Sequence, residues 1–328
     1  MQRIGFLFIL SCAVWACNSP QADSTTTELL EQPPFLEWTG RIENDPENDS
    51  LYFIRGRLLM QGGHTAAART DFEKAWSIKP AALLAEYLAN TLESPQAQCS
   101  FLKQATNQFP GDFPLEYMLA ESFQSMDSTD AALYITQKWL QSGIEIPEFI
   151  LLHASLLEKK GNKTESLYLL ETLYENEPNY RPVKEILALR YAGSGNKKAI
   201  LLCEEISRLD STGHDPLPNY YLGIYYGTQK NYTSAIQAFD KAIQSDYNFI
   251  EAYIEKASLL YEQKVYKGSL EVLSKALAVA PDHASVYYWT AKCQQALGDK
   301  ESARFNYLKA YGLDKSFIEA KAAADQLK

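Results

Sequence analysis

The sequence predicts an all-α fold, a solenoid of about eight two-helix units with a capping helix at each end. Three observations carry this. A period of about 34 residues runs from Asp49 to Phe317, which suits a stacked helical array rather than a single globular core. Small residues return at two fixed places in that period. Glycine and proline return at two others, where helices must stop.

Five units are clear. Asp49 to Ala82 carries Gly56, Leu59, Ala68, Phe72, Ala75 and Pro80, and Pro147 to Tyr180 carries Ala154, Leu157, Gly161, Ser166, Leu170, Leu173 and Pro178. Pro216 to Phe249 carries Leu222, Gly223, Tyr226, Tyr232, Ala235, Phe239 and Ala242. Ile250 to His283 and Ala284 to Phe317 repeat the pattern through Ala257, Ser269, Leu273, Ala276 and Pro281, then Ala291, Gly298, Ala303, Tyr307 and Ala310. Three units are weaker. Phe113 to about Ile146 has Ala120, Phe123 and Ala132, but Trp139 where a small residue is usual. Arg181 to about Thr212 fits with one residue deleted before Ala199, and Leu83 to Pro110 is short, with Ser94-Pro95 between its helices.

The pattern has a steric basis. At the eighth place stand Gly56, Ala120, Ala154, Ala188, Gly223, Ala257 and Ala291, and at the twentieth Ala68, Ala132, Ser166, Ala235, Ser269 and Ala303. The first helix of a unit (A) crosses the second (B) there, and only small side chains allow close approach. Phe72, Leu170, Phe239 and Leu273 fill the gap to the next unit, each stabilising by roughly 1.5–3 kcal/mol on burial. Gly63, Gly161, Gly195 and Gly298 suit a left-handed turn after helix A, and Pro80, Pro178 and Pro281 end helix B. Outside the units, Phe35, Trp38 and Ile42 are spaced three and four, so Phe35 to Asn44 is helical until Asp45-Pro46 stops it. Residues 35–48 cap one end of the array and residues 318–328 the other, because the end faces of an array are otherwise apolar.

With five copies in frame, residues 49–317 resemble the tetratricopeptide repeat (TPR) family, whose unit is two antiparallel helices. The resemblance implies a right-handed superhelix with a concave groove lined by the second, fifth, ninth and twelfth places of helix A. Carried onto this sequence, those places give Phe53 and Arg57, Tyr117 and Glu121, Leu151 and Ser155, Glu185 and Leu189. They continue with Tyr220 and Ile224, then Ile254, Ser258 and Tyr261, then Tyr288 and Lys292. The implied surface is apolar and aromatic with few charges, and its residues point away from the A/B seam. It suits a protein or peptide partner. The alternative is that curvature buries these side chains internally. The basic clamp by which some family members hold a C-terminal carboxylate is absent, since its places hold Tyr220, Ile224, Glu251, Ile254, Glu255 and Ser258.

The start of the chain reads differently. One positive charge at Arg3 precedes the apolar run Ile4 to Ala16, too short to span a bilayer. Residues 1–16 read as a signal peptide. The run ends at Ala16-Cys17, which resembles the lipobox of bacterial lipoproteins, with bulky Trp15 departing from the usual pattern. The resemblance implies lipidation of Cys17, with Cys12 a second candidate, and residues 17–34 as a flexible tether. The expected location is the cell envelope, lipid-anchored, at the outer membrane facing the periplasm. An ordinary cleaved signal with an incidental Cys17 is the alternative.

Composition narrows the function. The chain has net charge −10; without residues 1–16, 30 basic residues face 41 acidic ones, giving −11. No run of lysine or arginine exceeds two, which argues against nucleic acid and against electrostatic membrane attachment. Cys99, Cys203 and Cys293 fall in separate units, with neither disulfide nor metal-ligand spacing. His64, His214 and His283 fall in turns, and His153 on a buried helix face. Gly193-Ser194-Gly195 lacks the setting of a nucleophile or phosphate loop and lies where helix A must stop. No catalytic, metal or cofactor site is expected. The expected function is a non-catalytic, membrane-anchored scaffold that binds protein or peptide partners through its concave face. A glycan- or nutrient-binding surface lipoprotein is one alternative, and an enzyme another.

Overall fold

The computed structural model describes residues 24–327 and, among them, holds helices and turns with no strand. The chain divides into two compact units at Ile144 and Glu145. The first contains α1 (Ser24–Leu30), α2 (Phe35–Asn44), α3 (Asp49–Gln61), α4 (Thr65–Ile78), α5 (Ala82–Asn90), α6 (Pro95–Gln108), α7 (Phe113–Ser125) and α8 (Thr129–Gln141). The second contains α9 (Pro147–Lys159), α10 (Lys163–Asn176), α11 (Arg181–Gly193), α12 (Lys198–Leu209), α13 (Leu217–Thr228) and α14 (Tyr232–Ser245). It continues with α15 (Ile250–Glu262), α16 (Tyr266–Val279), α17 (Ala284–Ala296), α18 (Lys300–Leu313) and α19 (Ile318–Gln326). From α3 to α18, odd-numbered helices are helix A and even-numbered ones helix B of eight pairs.

The eighth and twentieth places lie where each pair crosses. Ala120, Ala154, Ala188, Ala257 and Ala291 are fully buried, as are Ala68, Ala132, Ser166, Ala235, Ser269 and Ala303. At two crossings a serine hydroxyl closes the seam: Ser166 Oγ donates to the Ala154 carbonyl at 2.6 Å, and Ser269 Oγ to the Ala257 carbonyl at 2.7 Å. A serine is tolerated in a dry seam because its one donor is satisfied there. At the two glycine crossings the eighth place is also matched to the side chain that fills the pair. A Cβ added at Gly56 would sit 2.6 Å from the Phe72 ring, and one added at Gly223 would overlap Phe239. Where the eighth place is Ala154 or Ala257, the filler is the smaller Leu170 or Leu273, whereas at Ala291 it is the buried Tyr307.

The turn after helix A is the most regular feature. Gly63, Gly161, Gly195 and Gly298 adopt φ of 79°, 88°, 70° and 87°. Asp127, Lys230 and Lys264 hold the same place with φ of 59°, 57° and 63°. The hydrogen bonds repeat too: Val265 N–H donates to the Leu260 carbonyl and Lys264 N–H to that of Tyr261, each at 2.9 Å. That is a Schellman closure, and it demands a left-handed residue. The second pair is the exception. Its helix A, α5, has 9 residues, and Ser94 caps α6 by accepting from Ala97 N–H at 3.0 Å.

The first pair is closed by α2. Phe35 and Ile42 join Leu59, Phe72 and Leu88 in one core. Beside it lies a charged lock absent from the sequence reading. Arg55 donates to both carboxylate oxygens of Asp71, at 2.8 and 2.7 Å, and to Thr39 Oγ1 at 2.9 Å. Arg55 and Asp71 are both buried, so removing one would strand the other's charge. The helical part also begins earlier than the tether reading allows. Ser24–Leu30 is helical, Leu29 and Leu30 pack on this core, and Thr39 Oγ1 donates to the Leu30 carbonyl at 2.9 Å. The signal segment, Cys12 and Cys17 lie outside the described residues. Cys99, Cys203 and Cys293 are buried and unbridged.

Gly223→Leu should overpack the Phe239 crossing and cost roughly 1–3 kcal/mol or more, whereas Gln237→Leu on the exposed face of α14 should change stability by less than about 0.5 kcal/mol. Gln229 is no neutral control, because its Nε2 donates to the Gly195 carbonyl at 3.0 Å. Equal melting of the Gly223 and Gln237 variants would contradict the crossing. Lys264→Gly removes the left-handed strain of a Cβ residue and regains part of the cost as unfolded-chain freedom, for a net gain of about 0.5–1 kcal/mol. A urea midpoint that fails to rise would count against the turn geometry.

Candidate partner-binding site

The groove places of helix A fall in both units. In the first, Phe53 is half-buried; its ring centroid lies 6.0 Å from Phe72 and meets Tyr87 edge-on at 5.1 Å. The exposed Arg57 guanidinium lies 5.8 Å from each of the Phe53 and Tyr87 rings. Tyr117 is half-buried on α7, 6.1 Å from Phe113, which in turn meets Trp139 edge-on at 6.1 Å. The bulk of Trp139 has a polar reason. Its Nε1 donates at 2.7 Å to the buried Glu116 carboxylate, which also pairs with Lys138 at 3.0 Å.

In the second unit, Leu151, Tyr220, Ile224, Ile254, Ser258, Tyr261, Tyr288 and Lys292 are all half-buried. The fifth-place aromatics do not point clear of the A/B seam. Tyr220 lies 6.0 Å from Phe239 and meets Phe249 edge-on at 5.1 Å. Tyr288 repeats this against Tyr307 at 5.8 Å and Phe317 at 5.5 Å. Each ring therefore rests its inner edge on helix B and on the phenylalanine that closes the unit, and keeps part of its surface accessible. The seam and the groove share these residues. On α17, the Lys292 ammonium sits 4.1 Å from the Trp289 ring centroid, 5.0 Å from Tyr261 and 5.6 Å from Tyr288, a cation–π arrangement.

Electrostatics depart from the sequence reading. Burial pushes the Tyr220 phenol up to about 12, and the carboxylates of Glu255 and Glu251 add to this. Burial also raises Tyr288, with Glu319 and Tyr261 adding to it. Glu255 itself is raised by burial and by Glu262. The aromatic surface of α13, α15 and α17 is thus faced by carboxylates rather than poor in charge. His153 is buried, and burial lowers its pKa against an opposing effect of Glu165, as suits a packed neutral histidine. Among the described residues no group of three or more His, Cys, Asp or Glu is placed to hold a metal ion, and no helix is long and apolar enough to cross a membrane.

Sequence reasoning left Tyr87 and Trp289 out of the groove lining, and named Glu255 only as a departure from the basic clamp. Tyr87 is the fifth residue of the short second repeat, so placing that repeat in frame would have found it. Trp289 and Glu255 stand at sixth places, outside the four carried over. On helices B of the second unit, the sequence reading also left aside Tyr168, Leu201 and Phe305, which are 66%, 52% and 66% exposed.

Comparison with known proteins agrees with this construction. Tetratricopeptide repeat family models match residues 49–81, 219–249 and 254–316. A TPR repeat-containing protein of Methanocaldococcus jannaschii is 29% identical over 102 residues, which are 31% of this chain and 31% of that protein. The chain thus spans under a third of that relative's length. A tetratricopeptide repeat protein from Parabacteroides merdae superposes with a TM-score of 0.57 at 15% identity, covering 84% of this chain and 98% of the other. The Cut9–Hcn1 hetero-tetramer of the APC/C gives 0.51 at 13% identity, covering 90% of this chain and 60% of the other. At such identities the likeness is one of fold. Paired helices, small crossings, left-handed turns and matched repeats together define an all-α solenoid of tetratricopeptide repeats, and the chain is a tetratricopeptide repeat protein.

Proposed function

We propose that the protein is a non-catalytic scaffold of the bacterial cell envelope that binds protein or peptide partners through the groove face of its helices A. The observation that carries this reading is the run of half-buried aromatic and aliphatic side chains on α13, α15 and α17. Tyr220, Ile224, Ile254 and Tyr288 already have part of their cost of ordering met by inner packing, so a partner finds rigid apolar surface. Rigid aromatics of this kind dominate binding energy at interfaces, and an extended apolar groove accommodates a peptide or a helix. A repeat fold of this type is typically an interaction scaffold rather than a catalyst. The anchoring half of the reading rests on the charged start, the apolar run to Ala16 and Cys17. Two or more acyl chains there would hold the protein stably, at about 0.8 kcal/mol per buried CH₂.

Because Tyr220 and Tyr288 also pack on the seam, truncation to alanine would confound binding with stability. Tyr220→Leu/Tyr288→Leu retains the inner contact, and Ser258→Phe fills the groove from its surface. Once a partner has been captured by crosslinking in intact cells, each anchor change should cost over about 1 kcal/mol of binding, with the largest near 2. Folded variants that bind undiminished would refute the groove reading and shift the site to helices B, where Tyr168, Leu201 and Phe305 are exposed. For the anchor, Cys17→Ser should release the protein from the membrane fraction or leave the signal uncleaved. Unchanged lipid labelling and fractionation would discard Cys17, and the same change at Cys12 would then decide between the two cysteines.

A further inference from the structure

The groove of α13, α15 and α17 carries a sign as well as an apolar surface. Tyr220 of α13 packs edge-on at 5.1 Å against Phe249, the residue that leads into α15, whose first turns carry Glu251 and Glu255. Tyr288 of α17 packs at 5.5 Å against Phe317, which leads into α19 and its Glu319. None of these three carboxylates has an ion pair or hydrogen bond among the described residues, nor does Glu262. Some acids on neighbouring helices are paired instead. Glu205 is paired with Lys184 at 2.7 Å, and Glu185 and Asp215 share Arg181 at 2.5 Å. At the groove places of these three helices the sole cation is Lys292, and its ammonium is already held over Trp289 at 4.1 Å. Glu255 is the informative residue. It is half-buried, so it has lost part of its hydration and has gained no partner in exchange. A partly desolvated carboxylate without a counter-charge is a cost that a bound cation would offset. The ring faces beside it attract the same sign of charge.

We infer that this groove selects a basic amphipathic segment, one that sets large apolar side chains on Tyr220, Ile254 and Tyr288 and a lysine or arginine against Glu255 and Glu251. The inference rests on the groove reading proposed above and adds the chemistry of the partner. An acidic segment fits poorly: its carboxylates would meet Glu251, Glu255 and Glu319, with Lys292 the one cation at these groove places to receive them. An arginine suits the place better than a lysine, since its planar fork both pairs with a carboxylate and stacks on a tyrosine face.

The test is to pan a random peptide library displayed on phage against the purified full-length protein, then to synthesise the enriched peptides. The expected result is enrichment of sequences with lysine or arginine beside aromatic or large aliphatic residues. Their binding should weaken about tenfold or more in Glu251→Gln/Glu255→Gln, an isosteric change that removes only charge, and weaken on raising salt. Enriched peptides that are neutral or acidic would overturn the inference, as would basic peptides that bind the glutamine variant as tightly as the wild type. If neutral peptides are enriched and lose affinity in Tyr220→Leu/Tyr288→Leu, the groove reading stands and the charge assignment falls. If no peptide is enriched, or enriched peptides are indifferent to both double variants, both readings fall.

Discussion

Close approach of two helices is the constraint on which the rest depends. The A and B backbones of each pair meet across an eighth and a twentieth residue with almost no side chain, and every crossing residue there is buried. A glycine leaves room for Phe72 or Phe239, and an alanine stands against Leu170, Leu273 or Tyr307. At the glycine crossings the seam is therefore specified pairwise rather than by hydrophobicity alone. Interiors are packed too densely to absorb even one added carbon freely.

The turn between A and B follows from the same requirement. To lay helix B back along helix A within a few residues, the chain must pass through a left-handed residue at one place. Four repeats supply glycine, and three supply Asp127, Lys230 and Lys264 instead. Those three accept local strain, so the geometry of the pair outweighs the preference of the residue. Closing the ends is a separate problem, because a terminal repeat has one face without a neighbour. At the start, α1 and α2 cover it, and the buried Arg55–Asp71 pair with Thr39 fixes α2 in register. At the far end, α19 buries Ala320 and Ala324 against Tyr287 and Tyr307.

The groove shows how one side chain serves two purposes. Tyr220 and Tyr288 lean on helix B and on Phe249 and Phe317, which orders them, yet they remain partly accessible. Pre-ordering reduces the entropy a partner would otherwise have to offset. Under the proposed binding role, stability and recognition would be coupled at these positions. The two readings left open by the sequence, exposed lining or internal packing, are both partly correct for the same rings.

The sequence by itself determined the repeat length, the places of close approach, and the stops at glycine and proline. These are local steric demands that recur in every unit, so each repeat corroborates the next. It also marked α2 and α19 as the helices flanking the repeats, from apolar spacing and their place in the chain. Only the tertiary structure decided what those demands leave unstated. Tyr87 entered the candidate surface because α5, short as it is, still packs in frame. Trp139 became intelligible through Glu116, 23 residues away in sequence. Arg55 met Asp71 across a pair of helices. Glu255 acquired its meaning from Tyr220 on a different repeat. Such partnerships depend on which faces are brought together and how far water is excluded between them. Periodicity records the position of a side chain along its own helix and carries no information about what stands opposite.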